Sequence, residues 1–121
     1  MRSGIRYPIQ FSIDLVLDNF TTVSVETINI SRNGLQFLCD NWIANKIEPR
    51  GIHNHSLDHI QLKIVAELPV KQENKLNAQG HVVYAQRISQ QEYIIGIRFD
   101  TLEDRDEKVL EQFFKVQQKT G

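Results

Sequence analysis

The clearest alternation of apolar and polar residues in this chain is Ile60-Gln61-Leu62-Lys63-Ile64-Val65-Ala66-Glu67-Leu68. Every second residue is apolar and the residues between them are mostly polar, which is the period of a β-strand rather than of a helix. A strand with this pattern buries one face and exposes the other, as strands of antiparallel sheets commonly do. The segment therefore predicts a half-buried strand in a mainly β protein.

Similar alternation occurs on both sides of this stretch. One run covers residues 11–17, and a segment rich in Thr, Val and Ile follows at 21–30. The apolar parity changes within that second segment, so we predict a β-bulge or bend near Thr27. Further strands are predicted at residues 35–39, 77–87 and 92–100.

The last part of the chain has a helical period. Apolar residues recur on one face from Leu102 to Val116, and acidic residues gather near the N-terminal end, as the helix dipole favours. We predict a helix over residues 102–118. Six short strands followed by one amphipathic helix predict a six-stranded antiparallel β-barrel, over residues 9–100, with a C-terminal α-helix.

The size and charge of the chain limit its class. Its 121 residues allow a single domain, residues 1–121, with a real core. The net charge of −1 provides no general basic field for DNA or a membrane surface. Cys39 is the only cysteine, which suits a reducing compartment. With no signal peptide or long apolar run, we expect a cytoplasmic protein without DNA binding or membrane insertion.

Two arginines near the N-terminus are the first candidate binding groups. Arg2 and Arg6 lie four residues apart in a segment, residues 1–8, with little apolar periodicity, and we predict this segment to be flexible. A guanidinium can grip a phosphate, bond the N7 and O6 edge of guanine, or stack on a base. The alternative is an ordinary solvated N-terminus, in which arginines have no special role.

A second candidate motif is Asn29-Ile30-Ser31-Arg32-Asn33-Gly34. Asn29 can bond a base edge, Ser31 can donate to a phosphate or base, and Gly34 permits a positive φ. Because Ile30 is apolar, we expect Asn29 and Ser31 to point together to the opposite face. The alternative is a simple hairpin turn. Farther along, Tyr84 is a candidate for stacking on a purine, although it equally fits an ordinary tyrosine on a barrel surface.

The two motifs, in this order, resemble the R-x-x-x-R and [DN]-x-S-x-x-G signature of PilZ domains, which are bacterial receptors for the second messenger cyclic di-GMP. The similarity extends to an apolar strand after the second motif and to a late strand, residues 95–99, built around a glycine. The resemblance implies cyclic di-GMP as the ligand. The contacts that it transfers are Arg2, Arg6, Asn29, Ser31 and Gly34, to which we add Arg32 and Tyr84 as candidates.

The resemblance also implies a signal-transduction role, in which the domain relays nucleotide binding to an unidentified protein partner. The alternative is a PilZ-fold interaction module that does not bind nucleotide, and the presence of both motifs favours the receptor. No catalytic motif occurs, so we expect neither enzymatic activity nor a cofactor. Residues 40–58 are predicted to form a long loop with one helical turn around Trp42. The spacing of His53, His55 and His59 fits no standard zinc site, so no metal is predicted.

Overall fold

The computed structural model describes residues 6–17, 20–52, 56–57, 60–71 and 74–120, with only the backbone of residues 119 and 120. This part of the chain contains seven strands and two helices. In chain order they are β1 (Tyr7–Pro8), β2 (Ser12–Val16), β3 (Thr22–Ile30), β4 (Gly34–Asp40), α1 (Asn41–Ile47), β5 (Gln61–Glu67), β6 (Lys75–Arg87), β7 (Glu92–Phe99) and α2 (Asp104–Thr120).

Six of these strands close into an antiparallel barrel. The order around the barrel is β3, β2, β5, β6, β7 and β4, and β4 pairs back with β3 to complete the circle. The short strand β1 lies along β3, with Tyr7 opposite Ile30. The predicted mainly β fold, a six-stranded antiparallel barrel followed by a C-terminal helix, is therefore confirmed.

The alternating residues of the strands fill the barrel interior. On β5, Leu62, Ile64 and Ala66 are buried, whereas Lys63 and Glu67 are exposed. The inner faces of the other strands continue this core. The alternation seen in the sequence is thus the alternation between barrel interior and solvent.

The C-terminal helix α2 packs its apolar face on the barrel. Phe113 is completely buried and Phe114 nearly so, and the Phe114 ring stacks on Tyr7 of β1 with 5.0 Å between ring centroids. Near the N-terminal end of the helix, the buried carboxylate of Asp106 accepts a hydrogen bond of 2.9 Å from the backbone N–H of Asn77 on β6. The helix is therefore attached near its N-terminal end and through the middle of its apolar face. No helix among the described residues is long and apolar enough to span a membrane.

The β-bulge predicted near Thr27 is present. The pairing of β3 with β4 shifts between Thr27 and Asn29, so Ile28 is the extra residue. Thr27 is 1% exposed, and its hydroxyl accepts from the backbone N–H of Phe11 at 3.2 Å and donates to the carbonyl of Ile9 at 2.8 Å. The Thr27 side chain therefore joins the bulge to the segment between β1 and β2.

Two elements differ from the sequence-based expectation. In the predicted loop, the helix α1 runs through Asn41–Ile47. Asp40 is its N-cap, and the Asp40 carboxylate accepts a hydrogen bond of 2.9 Å from the backbone N–H of Ile43. That is a longer helix than the single turn expected around Trp42. The strand β1 was not predicted at all, because two residues are too few to show a period. Since β1 pairs with β3, the end of the expected flexible segment 1–8 is bonded to the barrel, and residues 1–5 lie outside the described residues.

The role of the Thr27 hydroxyl can be tested by replacing it with a methyl group. We expect Thr27→Val to lower the free energy of unfolding by about 1–3 kcal/mol, because the Phe11 N–H and the Ile9 carbonyl both lose their partner. Thr27→Ser keeps the hydroxyl and is the matched control. Urea unfolding of both variants measures the difference, and equal stabilities would show that the hydroxyl contributes nothing.

Candidate functional site

Four adjacent strands carry a row of residues on the outside of the barrel, which we call the outer row. Asn29 of β3 lies opposite Gln36 of β4. Gln36 lies opposite Gly96 of β7, which in turn lies opposite Tyr84 of β6. Since neighbouring strands are about 4.8 Å apart, the outer row is about 14 Å long.

A second bulge brings Tyr84 into this row. The pairing of β6 with β7 shifts between Val82 and Tyr84, so Val83 is the extra residue. Val82 is fully buried and faces the interior, and the extra residue turns Tyr84 to the outside. There its ring covers Gly96, where a Cβ atom would lie only 2.3 Å from Cε2 of the tyrosine. Any side chain at position 96 would displace the ring, so Gly96 is what allows the Tyr84 ring to pack against the sheet.

Arg6 reaches the opposite end of the outer row. Its Nη1 donates a hydrogen bond of 2.9 Å to Oδ1 of Asn29, and the Arg6 side chain is exposed. Burial raises the pKa of Tyr84, and the positive charge of Arg6 opposes that shift. Arg6 therefore contacts Asn29 at one end of the row, and its charge favours the ionised form of Tyr84 at the other end.

The asparagine at position 29 is held on two sides. Its Nδ2 donates to Oε1 of Gln36 at 2.5 Å, while its Oδ1 accepts from Arg6. Asn29 and Gln36 are both partly exposed, so these amides remain accessible from outside the barrel. Three of the predicted site residues, Arg6, Asn29 and Tyr84, are therefore brought to one surface.

Ser31 does not join Asn29 on this surface. It lies beyond the end of β3, is 2% exposed, and its hydroxyl bonds within the turn, to the carbonyl of Gly34 at 3.3 Å and from the N–H of Asn33 at 3.2 Å. The expectation that Asn29 and Ser31 point together is wrong for this reason. Ser31 shapes the turn that follows Asn29.

Gly34 is required for a different reason from the one expected. Among the described residues, positive φ angles occur at Phe20 and Gly51, not at Gly34. Instead, a Cβ at position 34 would lie 1.9 Å from the carbonyl oxygen of Ile97 on β7. Only glycine lets β4 approach β7 this closely, so Gly34 fixes where the barrel closes beside the turn.

Arg32 is directed toward α2. Its guanidinium lies 6.0 Å from the centroid of the Phe114 ring, a cation–π distance. It lines a groove of about 280 Å³ between the 31–34 turn and α2, together with Asp100, Glu107 and Glu111. Arg32 thus flanks the outer row without contributing a contact to it, and Arg2 lies outside the described residues.

Sequence reasoning missed Gln36 and Gly96. Gly96 had a signal, because a glycine between Ile95 and Ile97 interrupts an otherwise continuous apolar strand, which often marks the close approach of another group. The only sequence signal for Gln36 is its position between the apolar residues Leu35 and Phe37. That pattern predicts that the Gln36 side chain is exposed, but it does not indicate a function. Its role depends on which residue faces it across the sheet.

The thiol of Cys39 is buried in the barrel core. Burial raises the pKa of the Cys39 thiol to about 12, with a smaller contribution from the Asp40 charge, so the thiol stays protonated in the core. Within the described ranges, no three His, Cys, Asp or Glu side chains are grouped closely enough to hold a metal ion. The loop histidines His53, His55 and His59 fall outside those ranges.

Comparison with known proteins identifies a matching family and several structures of similar fold. The family model described as "PilZ domain" matches residues 1–115. A search of curated protein sequences finds no significant match.

Solved structures share the fold at low sequence identity. The structure of the Bacillus subtilis inhibitor of motility MotI has a TM-score of 0.70 at 11% identity, with 98% of this chain and 52% of MotI covered. The PilZ domain of YcgR from Escherichia coli, solved with c-di-GMP, has a TM-score of 0.66 at 11% identity, with coverages of 98% and 93%. PlzA from Borreliella burgdorferi, in complex with c-di-GMP, has a TM-score of 0.51 at 18% identity, with coverages of 91% and 45%. This chain spans about half the length of MotI and of PlzA.

The electrostatic link between Arg6 and Tyr84 predicts a measurable titration. We expect Arg6→Ala to raise the pKa of Tyr84 further above its ordinary value, because the arginine charge favours the phenolate and its removal leaves the effect of burial unopposed. Titration of the Tyr84 ring resonances by NMR measures the shift. Arg105→Ala, on α2, is the matched control, and an unchanged Tyr84 pKa in Arg6→Ala would contradict the placement of Arg6.

Proposed function

This chain belongs to the PilZ domain family, and we propose that it is a cyclic di-GMP receptor whose binding surface is the outer row together with Arg6. The observation that carries the proposal is the convergence of Arg6, Asn29 and Tyr84, which come from three distant parts of the chain. Two structures of the same fold, the YcgR domain and PlzA, were solved with c-di-GMP.

The chemistry of the surface suits a cyclic dinucleotide. Arg6 presents a guanidinium whose remaining N–H groups are able to bond phosphate oxygens or the N7 and O6 atoms of guanine. Tyr84 presents an aromatic face on which a purine is able to stack. Asn29 lies between them and offers an amide to a base edge.

The remaining predicted residues contribute in two ways. Ser31 and Gly34 set the turn and the close strand approach that hold Asn29 in place. Arg32 and Arg2 are proposed as additional cationic contacts, Arg32 from the α2 side and Arg2 from the N-terminal segment. Both motifs that define the family resemblance would then act on one ligand.

The domain is proposed to act by binding rather than by catalysis. Ligand binding would draw the residues before Arg6 onto the outer row, to which Arg6 is already bonded, and so change the surface that a protein partner meets. One neighbour of similar fold, MotI, is an inhibitor of motility. This chain spans about half of MotI. We propose that it acts in the cytoplasm, through an unidentified protein partner.

Calorimetric titration tests the ligand directly. We expect cyclic di-GMP to bind the purified wild-type protein, and Arg6→Ala to weaken binding about tenfold to a hundredfold, since a charge-assisted hydrogen bond contributes about 1.5–3 kcal/mol.

Arg105→Ala, which removes an arginine from α2 outside the outer row, is the matched control and should bind as the wild type does. If the wild type gives no heat at high micromolar nucleotide, the receptor proposal is wrong. The alternative, a PilZ-fold interaction module without a nucleotide, would then remain.

Hydrogen exchange tests the proposed ordering of the arginine segment. We expect the backbone amides of residues 2–6 to exchange more slowly when cyclic di-GMP is added, because the arginines become anchored to the ligand. Mass spectrometry of N-terminal peptides measures the change, and peptides from β5 serve as the internal reference. Binding without any change in residues 2–6 would contradict the ordering mechanism while leaving the receptor function intact.

A further inference from the structure

Gln36 belongs to neither of the two family motifs, yet its side chain is hydrogen-bonded to Asn29. We propose that Gln36 fixes the direction of the Asn29 amide and thereby makes the outer row a surface of N–H donors, suited to an acceptor-rich ligand. The inference rests on the proposed function, because it assigns a positioning residue to the same surface.

The orientation of the Asn29 amide follows from which of the neighbouring atoms donate hydrogen bonds and which accept them. A guanidinium has only donors, so the Asn29 atom that meets Arg6 at 2.9 Å must be its oxygen. The amide nitrogen then faces the other way, toward β4. A donor in that position needs an acceptor, and Oε1 of Gln36 provides it at 2.5 Å. Arg6, Asn29 and Gln36 thus form a relay in which every hydrogen bond runs in the same direction.

The relay engages both amide oxygens and leaves most of the N–H donors. The Asn29 oxygen accepts from Arg6 and the Gln36 oxygen accepts from Asn29, so one of the two lone pairs of each oxygen is used. One N–H of Asn29 and both N–H groups of Gln36 have no hydrogen-bond partner among the described residues, and Arg6 keeps most of its five N–H donors. Phosphate oxygens and the N7 and O6 atoms of guanine are acceptors, so they match what the relay offers.

Gln36 also stands at the right place in the row to meet the ligand. It lies opposite Gly96, which has no side chain, and the Tyr84 ring packs against that glycine. A base stacked against Tyr84 would therefore bring its edge toward the Gln36 amide. Because Gln36 is partly exposed, its free N–H groups are accessible there.

The relay makes positions 29 and 36 depend on each other. If Asn29 is replaced by Asp, the carboxylate accepts from Arg6 and needs a donor from position 36, which Gln36 supplies by turning its amide over. If Gln36 is replaced by Glu, the carboxylate still accepts from Asn29. If both are replaced, two carboxylates that can only accept face each other where a hydrogen bond was.

A double-mutant cycle in the full chain tests this dependence. We expect Asn29→Asp to weaken cyclic di-GMP binding by about threefold and Gln36→Glu by about tenfold, and the double variant by at least about tenfold more than the product of the two. Gln79→Glu is the matched control, since Gln79 is an exposed glutamine on β6 outside the outer row, opposite Lys63. Single effects that simply multiply would overturn the relay.

A second measurement does not depend on nucleotide binding. In the free protein, the side-chain amide resonances of Asn29 should keep their hydrogen-bonded position in Gln36→Glu and lose it in Gln36→Met, which has no comparable acceptor. Unchanged Asn29 resonances in Gln36→Met would overturn the relay even if cyclic di-GMP binds. Wild-type protein that fails to bind would overturn the proposed function, and the resonances alone would then decide whether Gln36 orients Asn29.

Discussion

The bulge between Thr27 and Asn29 is the constraint on which the candidate site depends. In a regular strand, the alternation that buries Val23, Val25 and Thr27 would also bury Asn29. The extra residue shifts the parity by one, so Ile30 takes the core position and the Asn29 amide turns outward. The Thr27 hydroxyl secures this arrangement by bonding the backbone of the chain that leads away from Arg6. The bulge therefore creates the polar position and also brings the arginine segment beside it.

A second bulge, in β6, likewise turns the side chain of Tyr84 outward. Both bulges flank a row that is otherwise regular, and each moves one candidate binding side chain from the interior parity to the outer face. Gly96 lies between the two bulges. Because it has no side chain, the Tyr84 ring can pack against it. Irregular pairing next to a binding surface is a common use of bulges, because one extra residue redirects a side chain without changing the fold. In this barrel the device is used twice for one surface.

The electrostatics of the surface are local rather than global. The whole chain carries a net charge of −1, so attraction of an anionic ligand must come from placed cations such as Arg6. The partner of Arg6 is a neutral amide, which holds the guanidinium in position without cancelling its charge. A carboxylate at position 29 would form an ion pair and reduce the field available to a phosphate. Arg6 is thus bonded to an uncharged asparagine, which also contacts Gln36.

The strand alternation, the amphipathic helix, the parity change near Thr27 and the two motifs can all be read from the amino-acid sequence, because each is encoded by residues close together in the chain. Arg6, Asn29 and Tyr84 can be named as candidates in the same way, although not as neighbours. The folded chain was needed to show that Gln36 and Gly96 lie between them, that the Ser31 hydroxyl bonds within the turn, and that Gly34 is required for contact with β7 rather than for its φ angle. The physical reason is that these properties depend on cross-strand register, which brings together residues far apart in the chain and leaves almost no trace in any one segment.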